Sequence, residues 1–80
     1  MNAITEQQIT DKMVEAYNAV DGSLIYCGDF RETVQGAVIR LGCSYIVEKI
    51  GPYYIAEEGN DRYALGFDQV CHGWSAIRLA

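Results

Sequence analysis

The chain has 80 residues, half of them apolar, with eleven acidic against six basic side chains and a net charge of −5. That suffices for one small domain; it is too apolar for a disordered segment and lacks the long apolar run of a membrane span. An acidic surface of this kind argues against direct binding to nucleic acid or anionic lipid and suits a protein partner with a basic surface.

A domain of this size buries only about 60–65% of the surface its unfolded chain exposes, so its core is thin. The N-terminal "MNAITEQQITDK" has no basic start followed by an apolar stretch. No secretory signal is therefore expected, and the expected compartment is the cytoplasm. Cysteines stand at 27, 43 and 71, an odd number without paired spacing, which reads as reduced thiols rather than a disulfide framework.

Ile9, Met13, Ala16, Tyr17 and Val20 share one face of a helix. Thr5 and Gln8 form a capping box at its start, and Asp21-Gly22 ends it. "SLIYC", Ser23 to Cys27, is a short apolar run that reads equally as an edge strand or an extended linker. "DFRETVQGAVIRLG" predicts a second helix with Phe30, Val34, Ala37, Val38 and Leu41 inward. Asp29 and Glu32 supply its capping signal and Gly42 its stop. Gly36 is unfavourable in a helix interior by about 1 kcal/mol, which marks a close approach of another element. Ile39 lies off the stripe.

After Cys43 the period becomes two. "SYIVEKI" is a strand with Tyr45 and Val47 on one face and Ile46 and Ile50 on the other, broken by Gly51-Pro52. "YYIAEE" and "DRYALGF" flank Gly59-Asn60, a two-residue hairpin turn with glycine first. The register places Glu57 opposite Arg62, Ile55 opposite Ala64, Ala56 opposite Tyr63, Tyr54 opposite Leu65, and Tyr53 over Gly66. "GWSAIRL" is the last strand, with Ser75, Ile77 and Leu79 on one face. The expected architecture is α+β over residues 1–80 as one domain. Two N-terminal amphipathic helices pack on one face of a three- or four-stranded antiparallel sheet, a β-meander.

"QVCHGWSAI" sets a thiol, an imidazole and the single tryptophan close together. Zinc ligands usually come in pairs two to four residues apart, whereas adjacent Cys71 and His72 point to opposite faces of a strand. A cysteine nucleophile needs a thiolate, a histidine and an oxyanion donor. Cys27, ahead of a predicted helix N-terminus, is the candidate, but no family signature surrounds it. The reading adopted is structural: thiols as small core residues, Trp74 over the end of the sheet, and no catalytic, metal or cofactor site. A small Cys/His-dependent enzyme or zinc-binding module is the alternative. Phosphate-loop, dinucleotide and RNA-binding aromatic patterns are absent, and the second helix carries too few basic residues for a DNA reader.

Two features exceed what a minimal fold needs. Tyr45, Tyr53, Tyr54 and Tyr63 lie in predicted strands, and alternation cannot bury both Tyr53 and Tyr54 on one face, so at least one is expected at the surface, where tyrosine favours interfaces. The tip "EEGND" holds Glu57, Glu58 and Asp61, with Asp68 expected nearby, and suits docking on lysines and arginines. The expected site is therefore Tyr53, Tyr54, Glu57, Glu58, Asp61, Tyr63 and Asp68, facing a basic protein partner. A homodimer paired through an edge strand is a further expectation.

In size, charge, missing catalytic motifs and the aromatic-acidic hairpin "YYIAEEGNDRY", the chain resembles the small acidic proteins that bacteriophages use against host defences, the anti-CRISPR proteins above all. The resemblance is one of composition, and no residue role comes with it. It implies a stoichiometric inhibitor that binds a bacterial effector complex by surface complementarity, in the host cytoplasm.

Overall fold

The structure, a computed structural model, describes residues 3–19, 22–68 and 73–79. The first helix, α1 (Glu6–Ala19), starts at the expected box. The Thr5 N–H donates to Gln8 Oε1 at 2.8 Å and the Gln8 N–H to Thr5 Oγ1 at 3.2 Å, so each side chain satisfies a backbone donor the helix leaves free. Ile9 and Ala16 are buried and Met13 is half-buried, as the stripe requires, whereas Tyr17 is exposed.

"SLIYC" resolves into a strand, β1 (Ile25–Asp29), so the helices are not both N-terminal to the sheet. The second helix, α2 (Val34–Leu41), is shorter than its apolar spacing predicts. Its cap is Thr33, whose Oγ1 accepts the Gly36 N–H at 3.0 Å. Asp29 instead stays in β1 and turns the chain by accepting the Arg31 N–H at 2.9 Å. Phe30 consequently leaves the helical stripe for the surface. The C-terminus follows expectation: Gly42 has φ +94, its N–H reaches Ile39 O, and the Cys43 N–H reaches Val38 O. This pair of bonds closes the last turn around a left-handed residue.

Four strands then meander: β2 (Tyr45–Ile50), β3 (Tyr53–Glu58), β4 (Asp61–Asp68) and β5 (Gly73–Arg78). β5 pairs with β1, giving a fully antiparallel sheet of order β1-β5-β4-β3-β2. Among the described residues the sheet thus has five strands, not three or four. The β3–β4 register is the expected one, with Gly59 at φ +60 in the turn.

Consecutive residues of the central strands belong to different cores. Ile55, Ala64 and Ile77 pack with Ile9 and Ala16 of α1. Ala56, Leu65 and Ala76 pack with Ala37 and Val38 of α2, and with Cys27 and Cys43. Neighbours on a strand point to opposite faces, so the two helices sandwich the sheet rather than sharing one face. The reason is visible in β3, β4 and β5, which are apolar at nearly every interior position: a strand of that kind needs cover on both sides. β2 carries a bulge between Ile46 and Glu48. The extra residue shifts the alternation, so Ile46 joins the α2 core and Ile50 the α1 core instead of lying on one face.

Trp74 answers the question raised by the "CHGW" stretch for the residues described. It lies in β5, half-buried against the α2 core, and its Nε1–H donates to Glu32 O at 2.8 Å. Cys71 and His72 lie outside the described residues. Gly36 has a comparable explanation. The Glu32 carboxylate runs across it to Arg40 Nε at 2.7 Å, and a Cβ there would sit 2.7 Å from the Glu32 carboxyl carbon. No helix among the described residues is long and apolar enough to cross a membrane.

Candidate functional site

The strands distribute the expected tyrosines over both cores. Tyr53 faces α1; its ring covers Gly66, and its hydroxyl lies 2.7 Å from Thr10 Oγ1. Tyr54 faces α2 and packs edge-to-face on Trp74, with the Lys49 ammonium 5.2 Å from its ring centre. Tyr63 lies half-buried on the same side. Both Tyr53 and Tyr54 are therefore half-buried, where one was expected at the surface, because the sheet has a helix on each face to receive them.

Two strand tyrosines stay outside, Tyr26 of β1 at 63% and Tyr45, 57% exposed at the start of the edge strand β2. Tyr45 stands directly across from Glu57, which in turn stands across from Arg62. Val47, set outward at the bulge, is exposed beside it along the edge. The tip carboxylates gather at this same end. Arg62 bonds Glu48 at 2.6 Å and lies 3.7 Å from Glu57, Arg78 bonds Asp61, and the Ser44 hydroxyl donates to Glu58. Four carboxylates (Glu48, Glu57, Glu58, Asp61) against two guanidiniums (Arg62, Arg78) leave a surplus of two negative charges. Alternation divides these groups, Glu48, Glu57 and Arg62 on the side of Tyr45 and Glu58, Asp61 and Arg78 on the other, so each side of the hairpin end is an ion-paired cluster with one carboxylate in surplus rather than a free acidic hook.

Asp68 does not join it. It pairs with Gly73 at the far end of β4, seven residues from Asp61, or roughly 23 Å at the usual rise per strand residue. Of the expected site residues, Glu57, Glu58 and Asp61 come together, Tyr53, Tyr54 and Tyr63 turn inward, and Asp68 lies apart. Sequence reading did not single out Tyr45 as an exposed member. Its membership of the strand tyrosines was visible, but its edge position was not.

The thiols sit in a different environment. Cys27 is 1% exposed, its Sγ bonds Ile25 O at 3.5 Å, and burial together with Cys43 pushes its pKa up to about 11. Burial, with help from Glu58 and Asp61, also raises the Cys43 thiol. Both remain protonated at neutral pH, the opposite of the lowered pKa a nucleophile needs. Among the described residues no group of three histidines, cysteines or carboxylates converges as a metal-ligand set.

A groove of about 310 Å³ runs between α1 and β5, bounded by Lys12, Glu15, Ala19, Ile77 and Arg78. It mixes one carboxylate with two cations and converges on no reacting position. Comparison of the chain with family models, curated proteins and solved structures finds no match.

Proposed function

We propose that the chain is a protein-binding module that docks its β2 edge and hairpin tip on a basic partner surface, acting by binding rather than catalysis. The observation that carries this is an exposed tyrosine, Tyr45, directly across from Glu57 in an ion-paired cluster that keeps a surplus of negative charge. An aromatic anchor inside a charged rim suits recognition: the ring supplies contact area at low entropic cost, and the charges raise association rate and select against acidic partners. Arg62 and Arg78 hold the carboxylates in place beforehand, which lowers the ordering cost of binding. The compositional resemblance to phage anti-defence proteins narrows the partner to a bacterial effector complex whose basic groove normally holds nucleic acid. The chain would occupy that groove stoichiometrically. Cys27 and Cys43, both protonated and enclosed, speak against a nucleophilic role for these two thiols.

The test is expression of the chain in bacteria that use an RNA-guided interference system against a targeted phage. Restored plaques, abolished by Tyr45→Ala or by the triple change Glu57→Gln, Glu58→Gln, Asp61→Asn in a folded protein, support the reading. Unchanged plating across interference types, with no basic protein retained by the immobilised chain, removes it.

A further inference from the structure

The sheet ends in two outer strands, β1 and β2, and they are not equally open. In β1 the Ile25 and Asp29 carbonyls already accept Cys27 Sγ at 3.5 Å and the Glu32 N–H at 3.0 Å. Along β2 no backbone group bonds anything but β3 among the described residues, and four of the six residues are exposed. An antiparallel strand with one neighbour turns the N–H and C=O of alternate residues away from it, so β2 offers a row of backbone donors and acceptors that nothing in the fold takes up. The side chains beside that row carry a charge preference. Arg62 Nη2 bonds Glu48 at 2.6 Å, while its Nε lies 3.7 Å from Glu57 and makes no hydrogen bond. The Glu57 carboxylate, across from exposed Tyr45, therefore keeps its acceptor capacity for a group from outside.

We infer that β2 receives an extended, basic segment of the partner protein as an added strand, its backbone on the open row and one of its lysines or arginines on Glu57 beside the Tyr45 ring. This rests on the docking reading above and names how that docking is made. The occupant follows from two separate features. An open row of peptide groups is matched by another extended backbone, whose main-chain bonds give affinity while side chains give selection. The surplus carboxylate selects a cation, and the tyrosine ring adds a face that attracts it. Lys49, turned onto the Tyr54 ring on the other side of the sheet, leaves the Glu57 side to the guest. A second copy of this chain is a poor guest: two bodies of net charge −5 repel, and antiparallel pairing of β2 with itself brings Glu48 close to its own counterpart. Nucleic acid has no peptide groups for the row and is repelled by the same charge. The bulge between Ile46 and Glu48 guards the edge against indiscriminate pairing and confines regular pairing to Glu48–Ile50. Backbone contact alone is then weak, and the guest is held only when its cation also meets Glu57.

The experiment is titration of the full, isotopically labelled chain with capped hexapeptides, followed through its amide resonances. One peptide alternates lysine and valine, and one alternates glutamate and valine. A third is the lysine–valine peptide N-methylated at its two central residues, which blocks both of its edges and leaves its charge unchanged. The lysine–valine peptide is expected to bind with a dissociation constant below about 1 mM, shifting the amides of Glu48–Ile50 and slowing their exchange with solvent. The glutamate–valine and N-methylated peptides are expected to bind about tenfold more weakly or worse. Equal binding of the parent and either control, shifts gathered on Ile25–Asp29 of β1 rather than on β2, or no binding at about 1 mM would each overturn the inference. The docking reading is judged separately by the plaque assay. Protection that Tyr45→Ala abolishes, alongside equal binding of the two lysine peptides, keeps the docking and removes the added strand.

Discussion

Cys27 shows how burial sets the chemistry of a single group. Its thiol is moved from the ordinary 9.0 to about 11, so the folded state favours the protonated form. An acid whose folded pKa is raised contributes stability that is fully present below its unfolded value and lost as pH rises through the folded one. At about 1.4 kcal/mol per unit, something on the order of 2 kcal/mol is lost between pH 9 and pH 11. Urea midpoints measured across that window are expected to fall for the wild type and to stay flatter for Cys27→Ala. Iodoacetamide at neutral pH is expected to label Cys27 only once the protein unfolds. Gly66 carries the complementary lesson. A Cβ there would lie 2.7 Å from the Tyr53 ring, which the Thr10 hydroxyl also holds. Gly66→Ala is expected to destabilise by about 1–3 kcal/mol in thermal or urea unfolding, through overpacking. Tyr53→Phe, which removes only the hydroxyl contact, is expected to destabilise by about 0.5–1.5 kcal/mol.

Elements were legible where local chemistry alone decides them. The α1 box, the Gly42 stop and the β3–β4 register each depend on groups within a few residues of one another, and each occurs as the sequence predicts. The start of α2 was not legible in the same way. "DFRET" offers two capping residues, Asp29 and Thr33, and pairing of Asp29 with Gly73 across the sheet leaves the role to Thr33. At only eight residues, α2 gains little from propensity and relies on its cap and its packing. Thr33→Ala is therefore expected to reduce stability by about 1 kcal/mol. Near-ultraviolet circular dichroism of Trp74, which bonds Glu32 just ahead of the cap, should register the change together with the far-ultraviolet signal. An unchanged Trp74 environment would mean that α2 is anchored independently of its cap.

At the scale of the whole molecule, the shared sheet couples the two cores. Ile55 belongs to the α1 side and Leu65 to the α2 side, both fully buried on adjacent strands. Ile55→Ala and Leu65→Ala are each expected to cost about 2–5 kcal/mol. Because neither helix has cover without the sheet, both variants are expected to unfold in one transition, with Trp74 fluorescence and helical signal changing together. Two separate transitions would show that the cores are independent. The candidate site also belongs to this scale. Glu57, Glu58 and Asp61 were identifiable as a turn cluster, but their partners Glu48, Arg62 and Arg78 come from three different strands.

By itself the sequence determined most of each helix face, the meander, the hairpin register and the acidic balance, since these rest on periodicity, turn chemistry and counting. Only the tertiary structure decided that β1 completes the sheet, that the helices take opposite faces, and that Tyr45 rather than Tyr53 or Tyr54 remains outside. The physical reason is that alternation tells which residues share a side but not which side is covered. A strand apolar on both faces becomes unambiguous only when a second layer arrives to bury it.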